Sequence, residues 1–136
     1  MQARYMMDTD ICIYLKKRRP PQIAERFRSL RYGEVVISLI TFGELYNGAL
    51  KSRESEAALA NLHLLAGRLP VQAMSAKVAE NYGLIRSDLE RKGTTIGGND
   101  LWIAAHALTL DLKLVTNNDR EFKRVPALQV ENWVNT

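Results

Sequence analysis

The chain holds one cysteine, two histidines and no apolar run near the ~20 residues needed to span a bilayer. A lone Cys12 excludes an intramolecular disulfide and suits a reducing compartment. It sits among Ile11, Ile13 and Leu15, where a small buried hydrophobe is expected rather than a nucleophile. Neither His63 nor His106 has a cysteine or histidine at metal-ligand spacing, which argues against zinc; His106 reads as a packed helix residue. Gly97-Gly98 runs into Asn99-Asp100, not lysine and a hydroxyl residue, so no phosphate-binding loop is present. Met1-Gln2-Ala3-Arg4 lacks the apolar stretch of a secretory leader, and a cytoplasmic protein is expected.

What is present suits one globular domain covering 1–136, with 46% hydrophobic and 25% charged residues. A chain of this length buries roughly two-thirds of its unfolded surface. Nineteen basic against fifteen acidic residues leave a net charge of +4, compatible with a polyanionic or an acidic protein partner. The run Lys16-Lys17-Arg18-Arg19 serves equally well as a solvated surface.

Apolar patterning alternates between two kinds of segment. Tyr5-Met6-Met7 and Val35-Val36-Ile37 are short continuous runs, the mark of strands buried on both faces. Leu112–Val115 is a third strand, Leu69-Pro70-Val71 an edge strand and Leu128–Val130 a last short one. Between them helical periodicity predicts helices over Thr9–Lys17, around Ile23, Phe27 and Leu30, and over Ser38–Lys51. Further helices are predicted over Arg53–Ala66, from a Ser75 cap to Lys92, and from about Asn99 through Leu108. Gly93 to Gly98 is the stretch expected to be most flexible, and Asn118 to Phe122 a turn. Strands alternating with helices imply an α/β fold, a small central parallel sheet flanked by helices on both faces.

In such sheets functional groups gather beyond the carboxyl ends of the strands. Asp8, Glu44, Asp100 and Asp119 are placed there, each at a strand-to-helix handover or in the early turns of a helix. Singly, each aspartate also suits a helix cap, and Glu44 a solvated polar stripe with Thr41, Gly48 and Lys51. Together they form a carboxylate cluster whose repulsion a hard divalent cation relieves.

The order of these segments resembles that of PIN-domain proteins. Met6-Met7-Asp8-Thr9-Asp10-Ile11 is similar to the family's opening block. Ile37-Ser38-Leu39-Ile40-Thr41-Phe42-Gly43-Glu44-Leu45-Tyr46-Asn47-Gly48 is similar to its second, and Ile96-Gly97-Gly98-Asn99-Asp100-Leu101-Trp102-Ile103-Ala104-Ala105 to its third. Val115-Thr116-Asn117-Asn118-Asp119-Arg120-Glu121-Phe122 resembles the last. The likeness covers nearly the whole chain and is nearest the VapC toxins of bacterial type II toxin–antitoxin modules. It departs at Asp10, where the family often has asparagine.

The resemblance implies a metal-dependent endoribonuclease toxin that cleaves structured RNA, often a tRNA, and so inhibits translation. It implies Asp8, Glu44 and Asp100 around Mg²⁺ or Mn²⁺. Asn117, Asn118 and Asp119 compete for a fourth position, of which Asp119 is favoured, with Ser38, Thr41 and Asn117 in support. Lys16, Lys17, Arg18 and Arg86 are candidates for RNA phosphate contacts. It further implies a VapB-like antitoxin and a homodimer, in a protein with no membrane role. Two other readings stand beside it. One is a haloacid-dehalogenase-like phosphatase using Asp8 and Asp10 as nucleophile and acid. The other is a non-catalytic PIN-like binding domain.

Overall fold

The structure, a computed structural model, describes residues 2–134. Strand β1 (Tyr5–Met7) leads into helices α1 (Thr9–Lys17) and α2 (Pro21–Arg28). Strand β2 (Val35–Ser38) is followed by α3 (Leu39–Leu50), α4 (Ser55–Arg68) and β3 (Val71–Gln72). The long α5 (Ala76–Lys92) precedes α6 (Gly98–Thr109), β4 (Lys113–Val115), the one-turn α7 (Asp119–Phe122) and β5 (Val130–Glu131).

All strand pairs are parallel, in the order β3-β2-β1-β4-β5. Successive side chains of β1 therefore enter opposite cores. Tyr5 and Met7 pack with Ile11, Leu15, Ile23 and Trp133 under α1 and α2. Met6 packs with Leu89, Ile103, Leu114 and Phe122 under α5 and α6. Both faces being covered, the strands carry unbroken apolar residues, as their sequences predict.

The chain leaves β1 toward β2 and β3 on one side, then crosses to β4 and β5 on the other. The crevice between the carboxyl ends of β1 and β4 is thus the switch point of the sheet. There Asp8 N–H donates to Val115 O at 2.8 Å, and Thr116 N–H to Glu131 O at 3.0 Å.

Several boundaries differ from the sequence expectation. The edge strand is Val71–Gln72, not Leu69–Val71; Pro70 lacks an N–H, and contributes its carbonyl to Ile37 N–H at 3.0 Å. The last strand is Val130–Glu131, and the expected turn at 118–122 closes into α7. Ser75 occupies the start of α5 without a side-chain capping bond. The expected flexible stretch is anchored at three points. Gly93 ends α5 at φ +67°, a left-handed conformation that glycine tolerates, Ile96 is buried, and Arg124 donates to Thr95 O.

Candidate active site

Asp8 directly follows β1 and caps α1. Its Oδ1 accepts from Thr9 N–H at 2.7 Å and its Oδ2 from the Thr116 hydroxyl at 2.8 Å. The residue is buried, and burial pushes its carboxyl up to about 7. The Asp10 charge adds to the rise, while the Thr116 and Thr9 bonds oppose it. Asp10, in the first turn of α1, accepts from Ile11 N–H at 2.7 Å and Asn117 N–H at 3.2 Å. Its carboxyl is raised as well, chiefly by burial.

Asp100 lies in the first turn of α6, and burial pushes it up to about 7. Its next largest cause is Glu121, through both hydrogen bond and charge, followed by the charges of Glu44 and Asp10. Burial raises the Glu121 carboxyl. Bonds from Asn118, Gly97 N–H and Asp100, with the Arg124 charge, outweigh it and hold Glu121 below its usual value. Burial and the mutual charge of Asp100 and Glu121 thus favour one proton held between the two carboxyls while no cation offsets them.

Glu44 arrives from α3, on the polar stripe the sequence predicts. It accepts from the Thr9 hydroxyl through one oxygen and from Asn99 Nδ2, at 3.2 Å, through the other. Thr41, on the same helix, is fully buried with its hydroxyl 3.3 Å from that of Thr9. Glu44 is thereby tied to both α1 and α6.

Glu121, which sequence reasoning did not single out, stands beside Asp100. The signal is weak, the second of two acids in a one-turn helix, beyond the nearer candidates Asn117, Asn118 and Asp119. Asp119 starts α7 at the rim. Asn132 Nδ2 donates to it at 3.1 Å and Lys123 Nζ lies at 3.6 Å, and these contacts hold its carboxyl below the ordinary range. Asn117 accepts from Asn132 at 3.1 Å and donates to the Tyr14 hydroxyl at 3.3 Å. Asn118 donates to Glu121. Ser38 points elsewhere: its hydroxyl is 2.8 Å from His106 Nδ1, and it accepts from Ile40 N–H.

The donor set is all carboxylate and hydroxyl oxygen, which suits Mg²⁺ or Mn²⁺. A cation would also bring Asp8 and Asp100 back to ionisation at neutral pH. Among the described residues, no three acidic, histidine or cysteine side chains already converge on one point. Glu44 faces Thr9 and Asn99, and Asp100 leans on Glu121.

Similarity to known proteins follows the same blocks. The PIN domain family matches residues 5–128. "Ribonuclease VapC2" of Haemophilus influenzae is 46% identical over 131 residues, covering 96% of this chain and 98% of that protein. The chain belongs to the VapC family of PIN-domain proteins. A second VapC relative, the "tRNA(fMet)-specific endonuclease VapC" of Shigella flexneri, is 42% identical, covering 96% of this chain and 98% of its own length. The VapC fold recurs in the crystal structure of DNA-bound VapBC from Salmonella typhimurium, at a TM-score of 0.91 and 42% identity. That match covers 96% of this chain and 98% of the other. Membership in the VapC family sets aside the haloacid-dehalogenase-like reading of Asp8 and Asp10. Among the described residues, no helix is long and apolar enough to cross a membrane.

The raised carboxyls set a pH dependence. The native state holds protons on Asp8 and Asp100 up to about 7, whereas unfolded aspartates have shed them above about 4. Stability of the cation-free protein therefore falls as pH rises from about 4 to 7, then levels. His106, buried and held below its usual value, opposes this below about 6.5, but one group acts against three raised carboxyls, Asp10 included. In EDTA the urea midpoint should be roughly half a molar higher at pH 5.5 than at pH 8. Equal midpoints would refute the carboxyl shifts.

Proposed function

We propose that this chain is the toxin of a VapBC-type pair: a Mg²⁺- or Mn²⁺-dependent endoribonuclease that cleaves structured RNA and so inhibits translation and growth. The observation that carries the reading is the acidic cluster at the switch point, with Asp8 and Asp100 both pushed up to about 7. Perturbed carboxyls in a cleft mark catalytic sites.

Asp8, Glu44 and Asp100 would hold the ion, with Glu121 joining them and Asp119 standing at the rim. Once bound, such an ion lowers the pKa of a water and offsets charge on the phosphodiester transition state. Thr9 and Thr116 fix Asp8 by a bond to each oxygen, so its direction is set before anything binds. Thr9 and Asn99 do the same for Glu44 from two different helices. A bound cation would favour loss of the proton held between Asp100 and Glu121, leaving Asp100 ionised to hold the ion. Attack by water leaves a 5′-phosphate and a 3′-hydroxyl. Lys16 and Arg18, which with Arg28 and Arg68 border a groove between α1, α2 and α4, are available to RNA phosphates.

The relative named for tRNA(fMet) supports a tRNA, and the initiator tRNA first, as substrate. The VapBC structures support a VapB-like antitoxin as partner, and we include a homodimer in the same reading. End-labelled total tRNA incubated with partner-free protein and Mg²⁺ or Mn²⁺ should show discrete cuts that EDTA abolishes. A folded protein that binds Mn²⁺ yet cuts no RNA would instead favour the non-catalytic binding domain.

A further inference from the structure

Outside the acidic cluster, a short polar chain is centred on two fully buried side chains, Ser38 and His106. His106 of α6 has no exposure to solvent. Its Nε2 lies 3.2 Å from Ala73 O and its Nδ1 2.8 Å from Ser38 Oγ. A carbonyl oxygen only accepts, so Nε2 carries the proton and Nδ1 is the acceptor. The Ser38 hydroxyl must then donate to Nδ1, which leaves its lone pairs for Ile40 N–H at 3.1 Å. The order is fixed from end to end: Ile40 N–H to Ser38, Ser38 to His106, His106 to Ala73.

Ser38 is the last residue of β2 and the cap of α3. Helix α3 delivers Thr41 and Glu44 to the site, and α6 delivers Asn99 and Asp100. These two helices are tied at the site by Asn99 and Glu44, and at a second point by His106 and Ser38. Two ties fix the rotation and advance of one helix against another, where a single tie leaves a pivot. A leucine at 106 would fill the volume and lose that second tie.

We propose that His106 is a positioning residue, which through Ser38 sets α3 against α6 and so fixes the reach of Glu44 toward Asp100. This rests on the nuclease reading above. It assigns the imidazole no contact with RNA, ion or water.

The test compares His106→Asn with His106→Gln, beside Ser38→Ala. The asparagine carbonyl can still accept from Ser38 but does not reach Ala73. The glutamine amide can still donate to Ala73 but offers Ser38 no acceptor at the Nδ1 place. Each protein is checked for folding by its thermal transition. Mn²⁺ affinity is then measured by electron paramagnetic resonance, and kcat and KM on labelled tRNA. We expect His106→Gln and Ser38→Ala to weaken Mn²⁺ binding and lower kcat by about 10-fold or more, as lost outer-shell partners do. KM should stay within about twofold, since phosphate contacts are untouched. His106→Asn should recover most of the affinity even where its melting temperature is the lower of the two. Affinities that match wild type in folded His106→Gln, or that simply track melting temperature across the set, would overturn the positioning role. Wild-type protein that neither binds Mn²⁺ nor cuts RNA would overturn the nuclease reading itself, and this role with it.

Discussion

Asp100→Asn should lower RNA cleavage by at least about 10³-fold while leaving the cation-free protein as stable as wild type or more so at pH 8. Loss of one group that stabilises transition-state charge commonly costs 10²–10³, and a ligand to the ion that supplies that charge should cost no less. The opposite sign in stability comes from the site's own electrostatics. At pH 8 wild-type Asp100 is ionised among Glu121, Glu44 and Asp10, in a place where burial already disfavours charge. The amide keeps the size, keeps a donor toward Glu121 and removes the charge. Asp8→Asn should behave alike, because its raised carboxyl has the same leading cause. A single-turnover cleavage assay and a urea titration on one preparation read both halves. Cleavage that persists within tenfold would remove Asp100 from the chemistry. A loss of activity accompanied by a loss of stability would mean that the variant is misfolded instead.

Glu121→Gln should cost roughly 10–100-fold in Mn²⁺ affinity or in cleavage, whereas Asp119→Asn should stay within about threefold. After burial, Glu121 contributes most to the raised carboxyl of Asp100, and it also accepts from Gly97 N–H at the start of α6. Removing its charge alters both the field at Asp100 and the anchoring of the helix that carries it. Asp119 is engaged by Asn132 and Lys123, and no acid of the cluster figures in its shift. Its contacts fasten the segment after β5, where Asn132 also accepts from Val134 N–H and bonds Asn117. The pair of variants, assayed side by side for Mn²⁺ binding and cleavage, decides which acid completes the site. A severe loss in Asp119→Asn with Glu121→Gln near wild type would reverse the assignment.

The sequence by itself determined the parallel sheet, because strands covered on both faces must be apolar at consecutive positions, and Tyr5–Met7 and Val35–Ile37 are. It likewise placed Asp8, Glu44 and Asp100 at the carboxyl edge, since strand-to-helix handovers and helical spacing are local properties of the chain. What it did not hold was any relation between residues distant along the chain. Only the tertiary structure decided that Glu121, and not Asp119, shares a proton with Asp100, because two residues in a one-turn helix face different neighbours. It alone turned Ser38 away from the acids toward His106, 68 positions on, and gave Glu44 its bonds to Thr9 and Asn99. Hydrogen bonds and charge coupling depend on distances of a few ångströms between side chains, and those distances are set by how helices pack across the sheet.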